Sequence, residues 1–297
     1  MFGKVESIKM RNINDKVISK LLSGKSFKDE NFPVSSIILE KRICQHIRRF
    51  YFFARTADDI ADNQLETSLN KKRILEYFSK ILSGGGKSNV VVLNEIIKIQ
   101  KEFGVGIYHA KNLLKAFTMD TNKKRYSDWN DLMNYCKYSA NPVGRFVIDL
   151  SYKIEKKKPK NLKLIYKGSD GLCSALQILN HMQDCKKDYL EMNRVYIPNE
   201  YFKKYKSSVS DLNLNRSTDN FNNLKIELLK KVERILRNSK EGLNSIDIFR
   251  LRKETLVIFY IALKLCKLLK TNDPIEKKVK LSRIDLIFCF LKGIIGN

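Results

Sequence analysis

The sequence is poor in residues that interrupt helices: of 297 residues, 5 are proline and 13 are glycine. This composition excludes collagen-like chains and proline-rich linker proteins. A hydrophobic content of 43% also excludes wholesale disorder. A chain of this length and composition can bury a sizeable hydrophobic core.

Long apolar runs are also missing. The longest candidates, residues 256–263 and 286–291, are followed by lysine, whereas a membrane-spanning helix needs about 20 apolar residues. Residues 1–16 lack the apolar core of a secretory signal peptide. We therefore expect a soluble, cytoplasmic protein.

The six cysteines and three histidines are widely spaced, without a Cys-x-x-Cys pair. Zinc sites and Cys–His nucleophilic pairs require more specific patterns. We expect reduced thiols and no zinc site.

Acidic residues are scarce beside basic ones, since 57 Lys and Arg against 32 Asp and Glu give a net charge of +25. Such a charge is typical of proteins that bind nucleic acid or an anionic membrane. The lysines are spread over the whole chain, without a basic arm or an RNA-binding aromatic signature. We therefore attribute the charge mainly to a compositional bias that places lysine on every exposed face. We expect no nucleic-acid partner and, as a minor contribution, peripheral association with the anionic cytoplasmic face of a membrane.

Apolar residues recur at steps of three and four along most of the chain, a periodicity that predicts amphipathic α-helices. The predicted helices cover residues 17–22, 37–61, 71–82, 90–103, 108–119, 128–138, 162–188, 224–237 and 256–269. No interruption is long enough to be a domain linker. The sequence thus predicts a single all-α domain over residues 1–297 with about ten or more helices.

The informative acidic residues form two pairs. Asp58 and Asp62 lie four residues apart, and Asp184 and Asp188 repeat the spacing, which places both carboxylates of a pair on one helix face. Two such pairs facing each other inside a bundle would be costly unless a cation neutralised them. Carboxylate oxygens without nearby imidazole or thiolate suit Mg²⁺, which shares its remaining positions with phosphate oxygens.

Polar side chains extend both pairs along the same helix faces. Tyr51 and Arg55 share the stripe of the first pair, and Gln177 and Asn180 that of the second. We interpret the pattern as a Mg²⁺-bound diphosphate held between two helices. The alternative is that each pair belongs to a solvated face bridged to nearby lysines, as is common for a single pair.

A proline and several small residues lie near the acidic pairs. Pro142 should break or kink a helix, because its ring clashes with the carbonyl four residues earlier. The small residues are Ser139, Ala140, Gly144, Gly168, Gly171, Ser174 and Ala175. They suit either an apolar channel for a long hydrocarbon or close helix–helix packing, and the sequence leaves both open.

Three segments, in order, resemble the squalene/phytoene synthase family of trans-isoprenyl diphosphate synthases. They are residues 55–62, 135–144 and 177–188, the last followed by Arg-Val-Tyr-Ile-Pro at 194–198. Residues 30–34, 139–145 and 180–185 look like the bacterial hydroxysqualene synthase branch, which serves the hopanoid-linked route to squalene. The resemblance implies a class I terpenoid synthase fold, a large helical bundle around a central apolar cavity.

The resemblance also implies residue roles. Mg²⁺ would be held by Asp58, Asp62, Asn180, Asp184 and Asp188. Substrate would be contacted by Phe32, Tyr51, Arg55, Tyr135, Gln177, Asn180, Arg194 and Tyr196. The catalytic set would be the four aspartates and Tyr135, and Tyr260 and Lys278 are further candidates for pocket and diphosphate positions.

Two residues depart from the family pattern: Gln183 stands where condensing members usually carry Arg, and Asn193 where Asp is expected. The first departure fits the hydroxysqualene branch.

The implied reaction is Mg²⁺-dependent ionisation and rearrangement of presqualene diphosphate, with water capture to hydroxysqualene and release of diphosphate. A downstream hydroxysqualene-reducing enzyme is the implied partner. The nearest alternative is head-to-head condensation of two farnesyl diphosphates to presqualene diphosphate or squalene. A remote alternative is a non-enzymatic basic helical protein that binds nucleic acid or an anionic membrane.

Overall fold

The computed structural model describes residues 13–24, 38–84, 86 and 88–295. Within these ranges the chain forms thirteen α-helices and one short 3₁₀ helix, without a strand, which confirms the predicted all-α class. The α-helices are α1 (Asp15–Ser19), α2 (Lys41–Asp62), α3 (Ser68–Leu82), α4 (Val91–Phe103), α5 (Ile107–Asp120), α6 (Trp129–Ser139), α7 (Asn141–Ile154), α8 (Leu162–Gln183), α9 (Cys185–Met192), α10 (Asn199–Lys204), α11 (Asp219–Asn244), α12 (Phe249–Thr271) and α13 (Arg283–Ile295). The 3₁₀ helix is Val209–Asn213.

Helices α2 and α8, beside which the two acidic pairs lie, are the centres of two packed groups. Helix α2 packs against α3, α4, α5 and α7, and helix α8 packs against α6, α7, α11 and α12. Helix α7 therefore bridges the two groups, while α2 and α8 scarcely touch each other directly. One hydrophobic core runs through both groups, and the space left between α2 and α8 is where the site lies.

The helix is interrupted next to Pro142, as predicted. Helix α6 ends at Ser139 and α7 begins at Asn141, with the proline in the first turn of α7. A proline is tolerated there because the first amides of a helix have no partner within the helix. The break turns α7 so that it can lie against both α2 and α8.

The prediction of one continuous helix over 162–188 is wrong. Helix α8 ends at Gln183 and α9 begins at Cys185, so Asp184 lies at a junction with φ −104° and ψ 11°. Aspartate favours helix ends over helix interiors, because its short side chain competes with the backbone for hydrogen bonds. The second acidic pair therefore straddles a helix junction, although the amide of Asp188 still donates to the carbonyl of Asp184 at 2.8 Å.

Two of the small residues serve close helix packing. A Cβ atom added at Gly168 would lie 2.8 Å from the backbone of Gly242, and one added at Gly242 would lie 2.3 Å from the carbonyl oxygen of Leu164. A Cβ atom added at Gly171 would similarly clash with the hydroxyl oxygen of Ser239. For Gly168 and Gly171, helix packing between α8 and α11 is thus the correct alternative.

Candidate active site

A cavity of about 430 Å³ opens between α2 and α8, and all four paired aspartates line it. The other predicted site residues in its wall are Tyr51, Arg55, Tyr135, Gln177, Asn180, Arg194 and Tyr196. Phe32 lies outside the described residues. The two acidic pairs thus face one space, which rules out two unrelated solvated faces.

The site residues of helix α2 lie in one stripe along the helix, because they are spaced three or four residues apart. The Arg55 guanidinium Nη1 donates to Asp58 Oδ2 at 2.7 Å, and its Nε lies 3.5 Å from the Tyr51 hydroxyl. The guanidinium carbon is 5.9 Å from the centre of the Tyr51 ring. The arginine is therefore held between a carboxylate and an aromatic face.

Each of the four aspartates faces one basic side chain. The pairs and their N–O distances are Asp58–Arg55 at 2.7 Å, Asp62–Arg194 at 2.8 Å, Asp184–Lys278 at 2.6 Å and Asp188–His181 at 3.7 Å. Arg and Lys side chains thus balance three of the four aspartates, whereas His181 adds positive charge beside Asp188 only when it is protonated. Among residues 13–24, 38–84, 86 and 88–295, no three His, Cys, Asp or Glu side chains come close enough to hold a metal ion by themselves.

The balance is incomplete at Asp58. Burial and the neighbouring Asp62 carboxylate raise the pKa of Asp58 to about 8, and Arg55 offsets this only in part. Further positive charge in the cavity would favour the ionised form of this carboxyl group. Its side chain still exposes 34% of its surface, so an entering cation can reach it.

Asp120, which no sequence pattern indicated, lies buried behind the aromatic wall at the end of α5. Its carboxylate accepts hydrogen bonds from the hydroxyls of Tyr135 at 2.8 Å and Tyr196 at 3.4 Å. Arg194 Nη2 donates to its carbonyl oxygen at 3.0 Å. Burial raises the pKa of Asp120 to about 7, although Arg194 opposes the shift. This residue fixes two phenols and one guanidinium of the cavity wall.

His181 also supports the wall. Its ring stacks on Tyr196 with centroids 3.3 Å apart, and its Nε2 lies 3.0 Å from the amide nitrogen of Gln177. These contacts hold Tyr196 against the face of the imidazole and Gln177 at its edge.

The segment after α12 closes the cavity beside α8. Lys278 lines the cavity, and the carbonyl of the next residue, Val279, accepts a hydrogen bond from Gln183 Nε2 at 2.6 Å. Gln183 is buried and is not among the residues of the cavity wall. It therefore acts on the site by holding the Lys278 segment. Tyr260 lies in a different pocket.

The structure accounts for Asn193. This residue ends α9 in the left-handed conformation, with φ 50° and ψ 37°, which Asn tolerates better than most residues. Its backbone and side-chain oxygens accept hydrogen bonds from Arg125 at 2.5 and 2.6 Å. The turn directs the chain from the second acidic pair to Arg194.

A second, largely apolar cavity of about 290 Å³ adjoins the first. Tyr51, Ala54 and Val143 line both cavities. The remaining wall of the second cavity comes mainly from α2, α7, α8 and α12, and it includes Gly144. The combined space is polar at one end and apolar at the other, which suits a long hydrocarbon with a charged head group.

Solved structures share this architecture. A dehydrosqualene synthase crystal structure superposes with a TM-score of 0.76 at 20% identity, covering 94% of this chain and 95% of that one. The squalene synthase HpnC from Alicyclobacillus acidocaldarius gives 0.71 at 21% identity, with 86% and 92% covered. The fold is therefore that of the class I terpenoid synthases, as predicted.

The family model of squalene/phytoene synthases matches residues 27–285, and the chain belongs to this family of isoprenoid diphosphate-using synthases. Its relatives include the hydroxysqualene synthase of Rhodopseudomonas palustris, 36% identical over 269 residues that cover 91% of this chain and 89% of the relative. The hydroxysqualene synthase of Zymomonas mobilis is 36% identical over 275 residues, or 92% of this chain and 90% of the relative.

The raised pKa of Asp58 predicts how the stability of the metal-free protein depends on pH. The pKa is about 8 in the folded protein and about 4 in the unfolded chain, so folding takes up a proton between these values. The free energy of unfolding should therefore fall as the pH rises from about 5 to about 8. Urea unfolding in the presence of chelator measures this, and Asp58→Asn should reduce the dependence to the part that the raised pKa of Asp120 contributes. The exposed Asp219→Asn is the control, and equal pH dependence in wild type and Asp58→Asn would contradict the prediction.

Proposed function

We propose that the protein is a hydroxysqualene synthase that converts presqualene diphosphate and water to hydroxysqualene and diphosphate. The observation that carries the proposal is a single space in which four aspartates and several basic side chains, among them Arg55, Arg194 and Lys278, meet at one end and apolar residues line the other. The relatives named hydroxysqualene synthase support the same product.

The oxygen donors fit Mg²⁺. The four aspartates and the amide oxygen of Asn180 are hard ligands of the kind that Mg²⁺ prefers. Because the described side chains form no ready-made metal cluster, coordination would be completed by diphosphate oxygens and water, as is usual for Mg²⁺. When bound, the ions supply Lewis-acid stabilisation of the leaving diphosphate. The neighbouring Asp62 carboxylate, which contributes to the raised pKa of Asp58, also attracts such positive charge.

The basic side chains that now balance the aspartates then bind the diphosphate. Arg55, Arg194 and Lys278 each lie 2.6–2.8 Å from a carboxylate that the metal would neutralise. Guanidinium groups bind phosphate oxygens in a bidentate manner, and ammonium groups bind them as point charges. Fixed positive charge therefore meets the negative charge that grows on the leaving group.

Ionisation breaks the carbon–oxygen bond to diphosphate and leaves a cyclopropylcarbinyl cation, which rearranges to a linear cation. The aromatic faces of Tyr51, Tyr135 and Tyr196 border the reaction space and stabilise positive charge. Burial raises the pKa of Tyr135 well above its ordinary value, so it stays a neutral phenol, and its hydroxyl donates to Asp120 at 2.8 Å. Water from the polar end forms the new carbon–oxygen bond and loses its proton to solvent.

We further propose that residues 1–297 act as one domain at the cytoplasmic face of a membrane. The product is a triterpene alcohol of very low solubility in water, so a hydroxysqualene-reducing enzyme would receive it there. In this proposal the basic side chains of the cavity wall bind diphosphate, and nucleic acid is not a ligand.

The choice of substrate is tested by supplying presqualene diphosphate and farnesyl diphosphate separately, each with Mg²⁺, and identifying products by mass spectrometry. We expect presqualene diphosphate to give hydroxysqualene and farnesyl diphosphate to remain unchanged. Turnover of farnesyl diphosphate without turnover of presqualene diphosphate would show that the protein is a condensing member of the family.

The carboxylates of both pairs are expected to be essential. Asp58→Asn and Asp188→Asn should each lower kcat at least about a hundredfold, because each removes charge stabilisation of the leaving group. Helix content by circular dichroism should be unchanged. Glu191→Gln, on α9 but outside the cavity wall, is the matched control and should retain activity. Aspartate variants as active as this control would overturn the proposed role.

A further inference from the structure

Helix α13 places its small residues inward and its large apolar residues outward. Cys289 and Gly293 are buried, and a Cβ atom at Gly293 would lie 2.6 Å from the Cα atom of Val257. The exposed residues, with 42–75% of their surface accessible, are Ile284, Leu286, Ile287, Phe288, Phe290, Leu291 and Ile295. A bundle helix normally has the opposite arrangement. A contiguous exposed apolar face of this kind marks an interaction surface.

Contacts along α12 hold this face in position. Cys289 Sγ lies 3.4 Å from the carbonyl oxygen of Tyr260, and Lys264 Nζ lies 2.8 Å from Asp285. Another face of α12, at Thr255 and Ile258, lines the apolar cavity. A single helix therefore separates the exposed apolar face from the space assigned to the hydrocarbon.

A basic pocket of about 440 Å³ adjoins the apolar face between α11, α12 and α13. The charged residues of its wall are Arg237, Lys264, Lys267, Lys270, Lys292, Glu233 and Asp285. Glu233 pairs with Arg237 and Lys270, and Asp285 pairs with Lys264. Lys267 and Lys292 form no ion pair with any residue that the structure describes, so the pocket keeps an excess of positive charge beside Phe288.

We propose that α13 and the basic pocket form a docking surface for a bilayer that contains anionic phospholipid. The apolar residues enter the interface, and a head-group phosphate sits between Lys267 and Lys292, since cations beside an apolar helix face are the features that such interfaces recognise. With 13 residues, α13 is about 20 Å long and lies in the membrane plane. None of the described helices is long and apolar enough to cross a bilayer.

This inference specifies the membrane contact in the proposed function and uses none of the residues that line the diphosphate end of the cavity. A bilayer with anionic lipid would contact both the apolar face and the basic pocket, whereas a second protein chain would need acidic groups placed opposite the pocket. It also places the surface that meets lipid one helix away from the apolar cavity.

Co-sedimentation of the full chain with vesicles tests the proposal. Wild type should bind phosphatidylcholine vesicles that contain phosphatidylglycerol. Ile287→Ser combined with Phe288→Ser should weaken binding at least about tenfold, because both side chains leave the interface. Lys267→Gln combined with Lys292→Gln should weaken it about tenfold or more, with no change on pure phosphatidylcholine.

Two control variants carry matched changes elsewhere on the surface. Leu69→Ser with Val91→Ser removes two exposed apolar residues from α3 and α4, and Lys80→Gln with Lys163→Gln removes two exposed lysines. Both should bind vesicles like wild type. All variants should turn over presqualene diphosphate in detergent, so a failure of the proposed activity would appear there and leave vesicle binding intact.

Unchanged vesicle binding by the α13 variants would overturn the inference. So would sedimentation velocity showing a dimer that the Ile287→Ser and Phe288→Ser changes dissociate, because the face would then join two copies of the chain.

Discussion

The structure depends on how acidic charge is accommodated at one end of a largely enclosed space. Four carboxylates line a cavity between α2 and α8, in a protein whose net charge is +25. Carboxylates brought together away from bulk water repel one another and lose hydration. Each is therefore matched with one basic side chain, and the carboxyl group of Asp58 still has a pKa raised to about 8. A site that holds this much acid without full compensation is prepared for added cations.

The helices around the cavity provide this arrangement in different ways. Helix α2 supplies its stripe through regular spacing alone. The second pair requires a helix junction at Asp184, a left-handed residue at Asn193 and the Lys278 segment, which Gln183 holds through the carbonyl of Val279. Behind the wall, buried Asp120 orients Tyr135 and Tyr196. In the proposed function, the same basic groups neutralise the carboxylates before substrate arrives and bind diphosphate afterwards.

Much of this could be predicted from the sequence where the relevant information is local. The spacing of Asp58 and Asp62 set their common face, the ring of Pro142 set the break before α7, and the family resemblance named most of the cavity wall. The helix junction at Asp184 was missed because periodicity continues across it. Asp120 and the pairing of Lys278 were missed because their roles arise from residues distant in sequence. The sequence also did not determine whether Gly168 and Gly171 line a channel or allow close helix packing, because the answer depends on α11, which lies against both glycines.

The orientation of helix α13 also depends on residues distant in sequence. Its apolar run is too short to span a membrane, and which side faces outward is set by the small residues that rest on α12.

The proposed function requires that the carboxylates exchange their basic partners for metal ions when substrate binds. A crystal structure with Mg²⁺ and inorganic diphosphate would show this exchange. We expect metal ions on both acidic pairs, with Arg55, Arg194 and Lys278 moved onto diphosphate oxygens. Diphosphate bound elsewhere, with these three side chains still on their aspartates, would contradict it.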